Sequence, residues 1–358
     1  MFYRAAGIRH VNYLQTRRLW PLRADRTLLA IIAALFFTAP WMLSSLYLNS
    51  YLMPLLLWTS AALGLNLLMG GAGQVHLGYG AVMAIGAYGT VHMTRGGLPF
   101  ELALLLGGTL AALIGAVFGA AALRVKGLYL AVSTLALQYL TDFVIVHVPA
   151  ISGGSQASLQ VPVLKLLGMP VTSDAGLYFV ALGVCAVLTI WMLNIKRTSF
   201  GRALAAIREK DYAAEILGVS AFRYKLLAFW VSSFIGGMVG ALYAFCYYKA
   251  VSPEQFHIEL SIQLLATVIV GGLGSVLGCY FGAALILLAP PLIHHLLGMF
   301  SHHYGGAIGS DLLTHAPLIL YGAMIVGFLL FEPLGLAKIY DNVRKSLLVW
   351  PFRHTRRH

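Results

Sequence analysis

Charge is scarce in this chain. Only 10% of its 358 residues are Asp, Glu, Lys or Arg, against about 25% in an average soluble protein. Cysteine is scarcer still: Cys185, Cys246 and Cys279 all lie inside apolar runs, with no CxxC and no Cys/His zinc spacing. That excludes a disulfide framework and reads as three reduced, buried small side chains. No GxxxxGK[ST] loop occurs, so the chain does not bind ATP in the P-loop manner. HExxH, GxSxG and paired acids are also missing, and Asp142, Glu101, Glu259, His76, His92 and His147 all fall near the ends of apolar runs. Ion-coupled transporters and proton pumps bury acids or histidines near the bilayer centre. Their scarcity argues against a self-powered transporter and an intramembrane hydrolase, and places the energy source in another molecule.

What remains is apolar. Hydrophobic residues make up 59% of the chain and mean hydropathy is +0.82. Apolar runs recur near the ~20 residues that cross a ~30 Å hydrocarbon layer, while the ~10-residue alternation of a β-barrel does not dominate. The fold class is an all-α polytopic membrane protein. The expected spans are 28–48, 52–70, 78–94, 100–122, 127–147, 175–195, 226–248, 259–278, 280–298 and 316–331. A basic leader (1–27) precedes them, with Arg4, Arg9, Arg17, Arg18, Arg23 and Arg26, and a basic tail (332–358) follows. The leader is long, no small-x-small cleavage site follows it, and it reads as preceding an uncleaved first anchor. With the N-terminus in the cytoplasm, 21 of the 24 Lys and Arg residues fall on the inner side and only Arg95, Lys165 and Lys249 on the outer. Positive residues resist translocation, so both termini are expected in the cytoplasm. The connection between the second and third spans carries no charge, and a re-entrant pair there stays open.

One segment departs from this pattern. GRALAAIREKDYAAEILGV (201–219) holds Arg202, Arg208, Glu209, Lys210, Asp211 and Glu215. Thr198 or Ser199 is a candidate N-cap, Gly218 a natural stop, and strong helix formers fill the run between. Leu204, Ile207, Ala214 and Leu217 recur at helical spacing, leaving the charges largely on the other side. A helix too short and too charged to span lies along the membrane surface or against a partner.

Two glycine-rich stretches, GGAGQVHLGYGAVMAIGAYG (70–89) and GGLGSVLGCYFGAA (271–284), share a GGxGxV start. Small residues let helix backbones approach closely in lipid, and irregular backbone at depth is tolerated only where protein or a watery cavity covers it. Asn66, Gln74, His76 and Tyr79 lie beside the first stretch, and Ser133, Thr134 and Gln138 lie on the fifth span. Asn66, Gln74, His76, Tyr79, Thr134 and Gln138 are candidates for lining a translocation path; interhelical hydrogen bonding is the alternative role. The outer loop 148–174 contains the uncharged, turn-rich ISGGSQASLQVP, a gate, a docking lip or a plain connector. HHLLGMFSHH, with His294, His295, His302 and His303, lacks the i, i+4 pairing and acidic partner of a helical zinc site.

Taken together, LNLLMGGAGQVHLGYGAVMAIGAY, LRVKGLYLAVSTLAL, SFGRALAAIREKDYAAEILGVSAFRYKLLAFWVS and VSPEQFHIELSIQLLATVIVGGLGSVLGCYFGAAL resemble the permease subunits of branched-chain amino acid ABC importers, the LivM/LivH family. The resemblance covers about residues 55–335 and leans toward LivM. It implies an ABC importer permease fold and no catalytic activity, cofactor or metal. It also implies as partners a second permease, two cytoplasmic ATPase subunits and a periplasmic binding protein, and a bacterial inner-membrane location. Residues 196–225 then resemble the segment that couples permease to ATPase. Of these, Gly201, Arg202, Arg208, Glu209, Tyr212, Ala213, Ala214, Glu215 and Gly218 are the candidate coupling residues. The Glu-Ala-Ala-x3-Gly pattern of importers reads here as Tyr212-Ala213-Ala214-x3-Gly218, with Arg202, Arg208, Glu209 and Glu215 placed to set register by charge. Departures exist: the family's GQVSLGHAAF is Gly73-Gln74-Val75-His76-Leu77-Gly78-Tyr79-Gly80-Ala81-Val82 here, and its TGGxxG element is SGGSQAS. Both bear on substrate more than fold. Branched-chain amino acids, urea or amides, aromatic acids and a monosaccharide all remain open. From a different class, a stand-alone secondary transporter or channel is the rival.

Overall fold

The computed structural model describes residues 23–123, 129–153, 158–303, 310–332 and 334–349. Arg4, Arg9, Arg17 and Arg18 of the leader, Arg124 and Lys126, residues 154–157 of the outer loop, and Arg353, Arg356 and Arg357 of the tail lie outside them.

The described residues are mostly helical. Apart from two four-residue helical turns, Pro149–Ser152 and Pro253–Phe256, the helices in chain order are α1 (Arg23–Met42), α2 (Ser45–Gly71), α3 (Tyr79–Arg95), α4 (Phe100–Leu123), α5 (Tyr129–His147), α6 (Asp174–Ile195), α7 (Ser199–Glu209), α8 (Asp211–Ile216), α9 (Ala221–Tyr248), α10 (Ile258–Gly271), α11 (Val276–His303), α12 (Ser310–Phe331) and α13 (Leu336–Val349). Five of them, α2, α4, α6, α9 and α11, hold stretches of 22 to 28 residues long and apolar enough to cross a membrane. Shorter apolar stretches of 10–17 residues lie in α1, α5 and α12.

The central post is α2. It is apolar all round, the pattern of a helix surrounded by others, and 89% of its most apolar window is buried. It packs against α6, α9, α10 and α11. Beside it, α3, α4 and α9 form a tight group through small residues. A methyl on Gly86 would fall 2.2 Å from the Gly237 carbonyl, and one on Gly240 would fall 2.0 Å from that of Met83, so these backbones touch directly.

Two elements are short. The 17 residues of α3 and 14 of α10 rise only about 25 and 21 Å at ~1.5 Å per residue. Each adjoins a glycine-rich turn that is partly exposed, with Val75 and Leu273 at the surface. The break expected near Cys279 lies instead at Gly272–Ser275. Gly272 (φ 118°) and Gly274 (φ 80°) take conformations that a continuing helix excludes, whereas hydropathy runs on unbroken through Val276–Cys279.

At the end of the molecule remote from α7, two small ladders order the segment between α5 and α6. Strand β1 (Leu159–Gln160) pairs antiparallel with β4 (Ala250–Val251), fastening the segment to the end of α9. Strands β2 (Lys165–Leu166) and β3 (Met169–Pro170) form a hairpin. Its two tip residues, Leu167 (φ 48°) and Gly168 (φ 84°), both have positive φ, as tight two-residue hairpins require. At the opposite end, α13 lies against α10 and α11, with Tyr340 on Phe281 at 5.7 Å.

Candidate functional site

The charged segment folds as a helical hairpin, α7 followed by α8. Thr198 caps α7, its hydroxyl accepting from the Gly201 N–H at 3.3 Å. Gly201 is required there, because a methyl would lie 2.4 Å from the Ile195 carbonyl. The single helix expected over 201–218 is broken at Lys210, whose backbone is extended (φ −155°, ψ 103°). No glycine or proline marks the break; the contact that accompanies it is the Asp211 carboxylate on Lys225 of α9 at 2.5 Å. At the far end Gly218 (φ 83°) donates to Glu215 O and Val219 to Ala214 O, a Schellman stop.

Leu204, Ile207 and Ala214 are buried as expected. Leu217 is not: it is 81% exposed, at the C-cap where α8 has already ended. With Tyr212 at 77% and Ile216 at 69% exposed, it makes an apolar tip on an otherwise charged hairpin. Ala213, Glu209 and Glu215 are exposed beside it. Arg202 turns back on its own chain, donating to Arg197 O at 2.9 Å.

Arg208 turns inward, its guanidinium donating to the Gly70 carbonyl in the last turn of α2 at 2.6 Å. Gly70 backs onto Gly274 so closely that a methyl would lie 2.1 Å from the Gly274 nitrogen. Asn66 closes the contact from both sides of its amide: Oδ1 accepts from Gly274 N–H at 2.7 Å, and Nδ2 donates to Ser275 O at 2.9 Å. Lys196, in the corner between α6 and α7, donates to the Gly274 carbonyl. The two GGxGxV turns are therefore one joint in space.

The other candidate polar residues gather at the start of α3. A helix start leaves N–H groups without intrahelical partners, and here four neighbouring N–H groups are met by side chains. Leu77 N–H donates to Thr134 Oγ1 (3.0 Å), Gly78 to His76 Nδ1 (3.1 Å), Gly80 to Ser261 Oγ (2.7 Å) and Ala81 to Gln138 Oε1 (2.8 Å). Gln138 Nε2 donates to Phe256 O at 2.8 Å and reaches Asp142 at 3.2 Å. Tyr79 donates to Ser232 O at 3.2 Å. His76 is fully buried, stacked on Phe229 at 4.8 Å, and its Nε2 has no hydrogen-bond partner. Gln74 is half-buried, reaching only Ala72 O at 3.4 Å.

His76, Tyr79, Thr134 and Gln138 thus come together, while Asn66 belongs to the glycine joint. Lys196, Ser261 and Ser275 join these networks without having been singled out from sequence. The doubled GGxGxV motif was the available signal for Ser275; Ser261 had none, being one hydroxyl in an apolar helix. Among the described residues no three His, Cys, Asp or Glu side chains converge as metal ligands would.

Residues 44–329 match the family described as branched-chain amino acid transport system / permease component. The chain belongs to this family. It is 31% identical over 299 residues to the high-affinity branched-chain amino acid transport system permease protein LivM of Escherichia coli K12, covering 76% of this chain and 66% of that protein. The namesake from Salmonella typhimurium matches to the same extent. The fructose import permease protein FruG of Bifidobacterium longum is 25% identical over 263 residues, 70% of this chain and 74% of that protein. The chain thus spans just under two thirds of the length of the two LivM relatives. No solved structure matches.

Proposed function

We propose that this chain is the permease subunit of an ATP-driven importer in a bacterial inner membrane, forming the path for branched-chain amino acids or a related small polar metabolite. It carries no reaction of its own; two cytoplasmic ATPase subunits supply the energy, and a second permease and a periplasmic binding protein complete the assembly. About ten spans, long and short helices together, cross the bilayer. The distribution of Lys and Arg supports termini on the cytoplasmic side.

The observation that carries this reading is the apolar tip of the α7–α8 hairpin. Three large hydrophobic side chains, Tyr212, Ile216 and Leu217, stand exposed on and just after α8, while Ala214 seats α8 and Leu204 and Ile207 seat α7 against the core, with the Arg208 guanidinium on Gly70 O. A rigidly mounted apolar tip with a charged rim has the anatomy of a docking surface. The ATPase is its occupant. In this reading Asn66, Gln74, His76, Tyr79, Thr134 and Gln138 line the path; the convergence of His76, Tyr79, Thr134 and Gln138 at the start of α3 supports it.

The test is co-purification of the ATPase subunits with the permease from membranes. Leu217→Asp is expected to leave the permease inserted and abolish ATPase recovery; full recovery would remove the docking role. Flux through the chain alone in liposomes, without ATPase, would establish a secondary transporter instead. The likeness to the fructose permease favours a monosaccharide as the second substrate reading. Ligand binding by the partner binding protein decides between them.

A further inference from the structure

We infer that Arg208 and Lys196 are positioning residues that convert movement of the α7–α8 hairpin into movement of the glycine joint between α2 and the α10–α11 turn. This rests on the reading of the hairpin as the ATPase-docking element.

Two cations flank one weld. Arg208 holds the Gly70 carbonyl on the α2 side, and Lys196 holds the Gly274 carbonyl on the other. Gly70 lies in the last turn of α2, where carbonyls lack intrahelical partners and carry the negative end of the helix dipole. Its neighbours are otherwise provided for: Met69 O accepts from Gly73 N–H and Leu68 O from Gln74 N–H. The Gly70 carbonyl is left to Arg208, and the bond is charge-assisted, the stronger kind.

The weld has little internal slack. Asn66 spans it with two hydrogen bonds, and the Gly70 and Gly274 backbones leave no room for a methyl between them. Side-chain contacts to it from the hairpin side come through α7 and the corner before it. Gly73 (φ 68°) sits against the Arg208 side chain, its would-be Cβ 3.5 Å from Cγ. The chain then runs through Gln74 and Val75 to His76 and the start of α3. A push on α8 therefore reaches, through Arg208, both the end of the central post and the turn that leads to the buried polar cluster. Lys196 applies the same displacement to the α10–α11 turn.

Arg208 also caps a helix end, so loss of stability alone has to be separated from loss of transmission. The experiment uses the full complex, reconstituted with its ATPases and binding protein, and reads transport per ATP hydrolysed. Arg208→Gln removes the cation and keeps a donor; it is expected to co-purify with the ATPases and to transport about tenfold less per ATP, the loss of one charge-assisted bond from the coupling. Arg208→Lys restores the cation and is expected to recover part of the ratio. A thiol introduced by Gln74→Cys should change its labelling rate when a non-hydrolysable ATP analogue binds, and that change should vanish in the Arg208→Gln background. An unchanged transport-to-hydrolysis ratio in Arg208→Gln overturns the inference. If Arg208→Gln does not assemble, Lys196→Gln carries the same ratio, and an unchanged value there overturns it equally. If the unaltered chain recruits no ATPase at all, the docking reading fails and this inference falls with it, a result distinct from normal recruitment with an unaltered ratio.

Discussion

Gly70→Ala and Gly71→Ala make the same chemical change one residue apart, and opposite outcomes are expected. At Gly70 the new methyl would sit 2.1 Å from Gly274 N and 2.3 Å from Asn66 Oδ1. Ordinary contact begins at 3.4 Å, so α2 and the α10–α11 turn must part by more than an ångström. The Asn66 bonds, now 2.7 and 2.9 Å, then exceed hydrogen-bonding range. A backbone group left unpaired in the interior costs about 1–3 kcal/mol; Gly274 and Ser275 are half-buried and Ser275 O also accepts from Cys279 Sγ, so the two together are expected to cost roughly 1–3 kcal/mol. Interhelical bonds in membranes average only about 0.6 kcal/mol each, which sets the lower bound. At Gly71 the nearest atoms are Leu204 Cδ1 at 3.7 Å and Leu67 Cδ1 at 3.8 Å. A methyl fits there, and alanine gains up to about 1 kcal/mol of helix propensity. Equilibrium unfolding in mixed detergent–SDS micelles, followed by tryptophan fluorescence, measures the difference. Equal stability of the two variants within about 0.5 kcal/mol would refute the weld.

Further outcomes follow from the same geometry. Gln138→Leu keeps the volume but strands the Ala81 N–H and Phe256 carbonyl, and is expected to cost roughly 2 kcal/mol or more; a double-mutant cycle with Ser261→Ala should show coupling of at least ~0.5 kcal/mol. Asp211→Asn breaks the pair with Lys225, which is half-exposed on the Asp side, so global stability should fall by less than about 1 kcal/mol, while amide exchange over 211–217 accelerates. Asp341 accepts from Lys345 at 2.6 Å, which holds its carboxyl below the ordinary carboxylate value. The stabilisation of α13 is then complete above about pH 4 and disappears as pH falls through the lower folded value; proteolysis of α13 should speed up only in that acid range.

Much of the architecture was readable because apolar runs in lipid have one economical answer, the helix. The cap at Thr198 and the stop at Gly218 were readable for the same local reason: a hydroxyl before a helical run and a glycine after it. The break at Lys210 was not, since it accompanies the contact of the next residue, Asp211, with Lys225, fourteen residues beyond it and in another helix. Leu217 counted as inward by periodicity, which assumes one continuous helix; the break at Lys210 and the end of α8 at Ile216 remove that assumption before Leu217 is reached. Hydropathy likewise passed over the break at Gly272–Ser275, because glycine's positive φ leaves no mark on an apolar average. Of the polar residues near the first glycine stretch, Asn66 proved to be a clasp. Its two partners lie more than two hundred residues away, a distance no local pattern spans.

The start of α3 has a consequence for how the protein is made. Its N–H groups are satisfied by Thr134, 57 residues downstream of Leu77, and by Ser261, 181 residues downstream of Gly80. When α3 leaves the ribosome neither partner has been synthesised. Its first turn therefore stays open, hydrated or borrowed by the insertion machinery, until the last third of the chain arrives to close it.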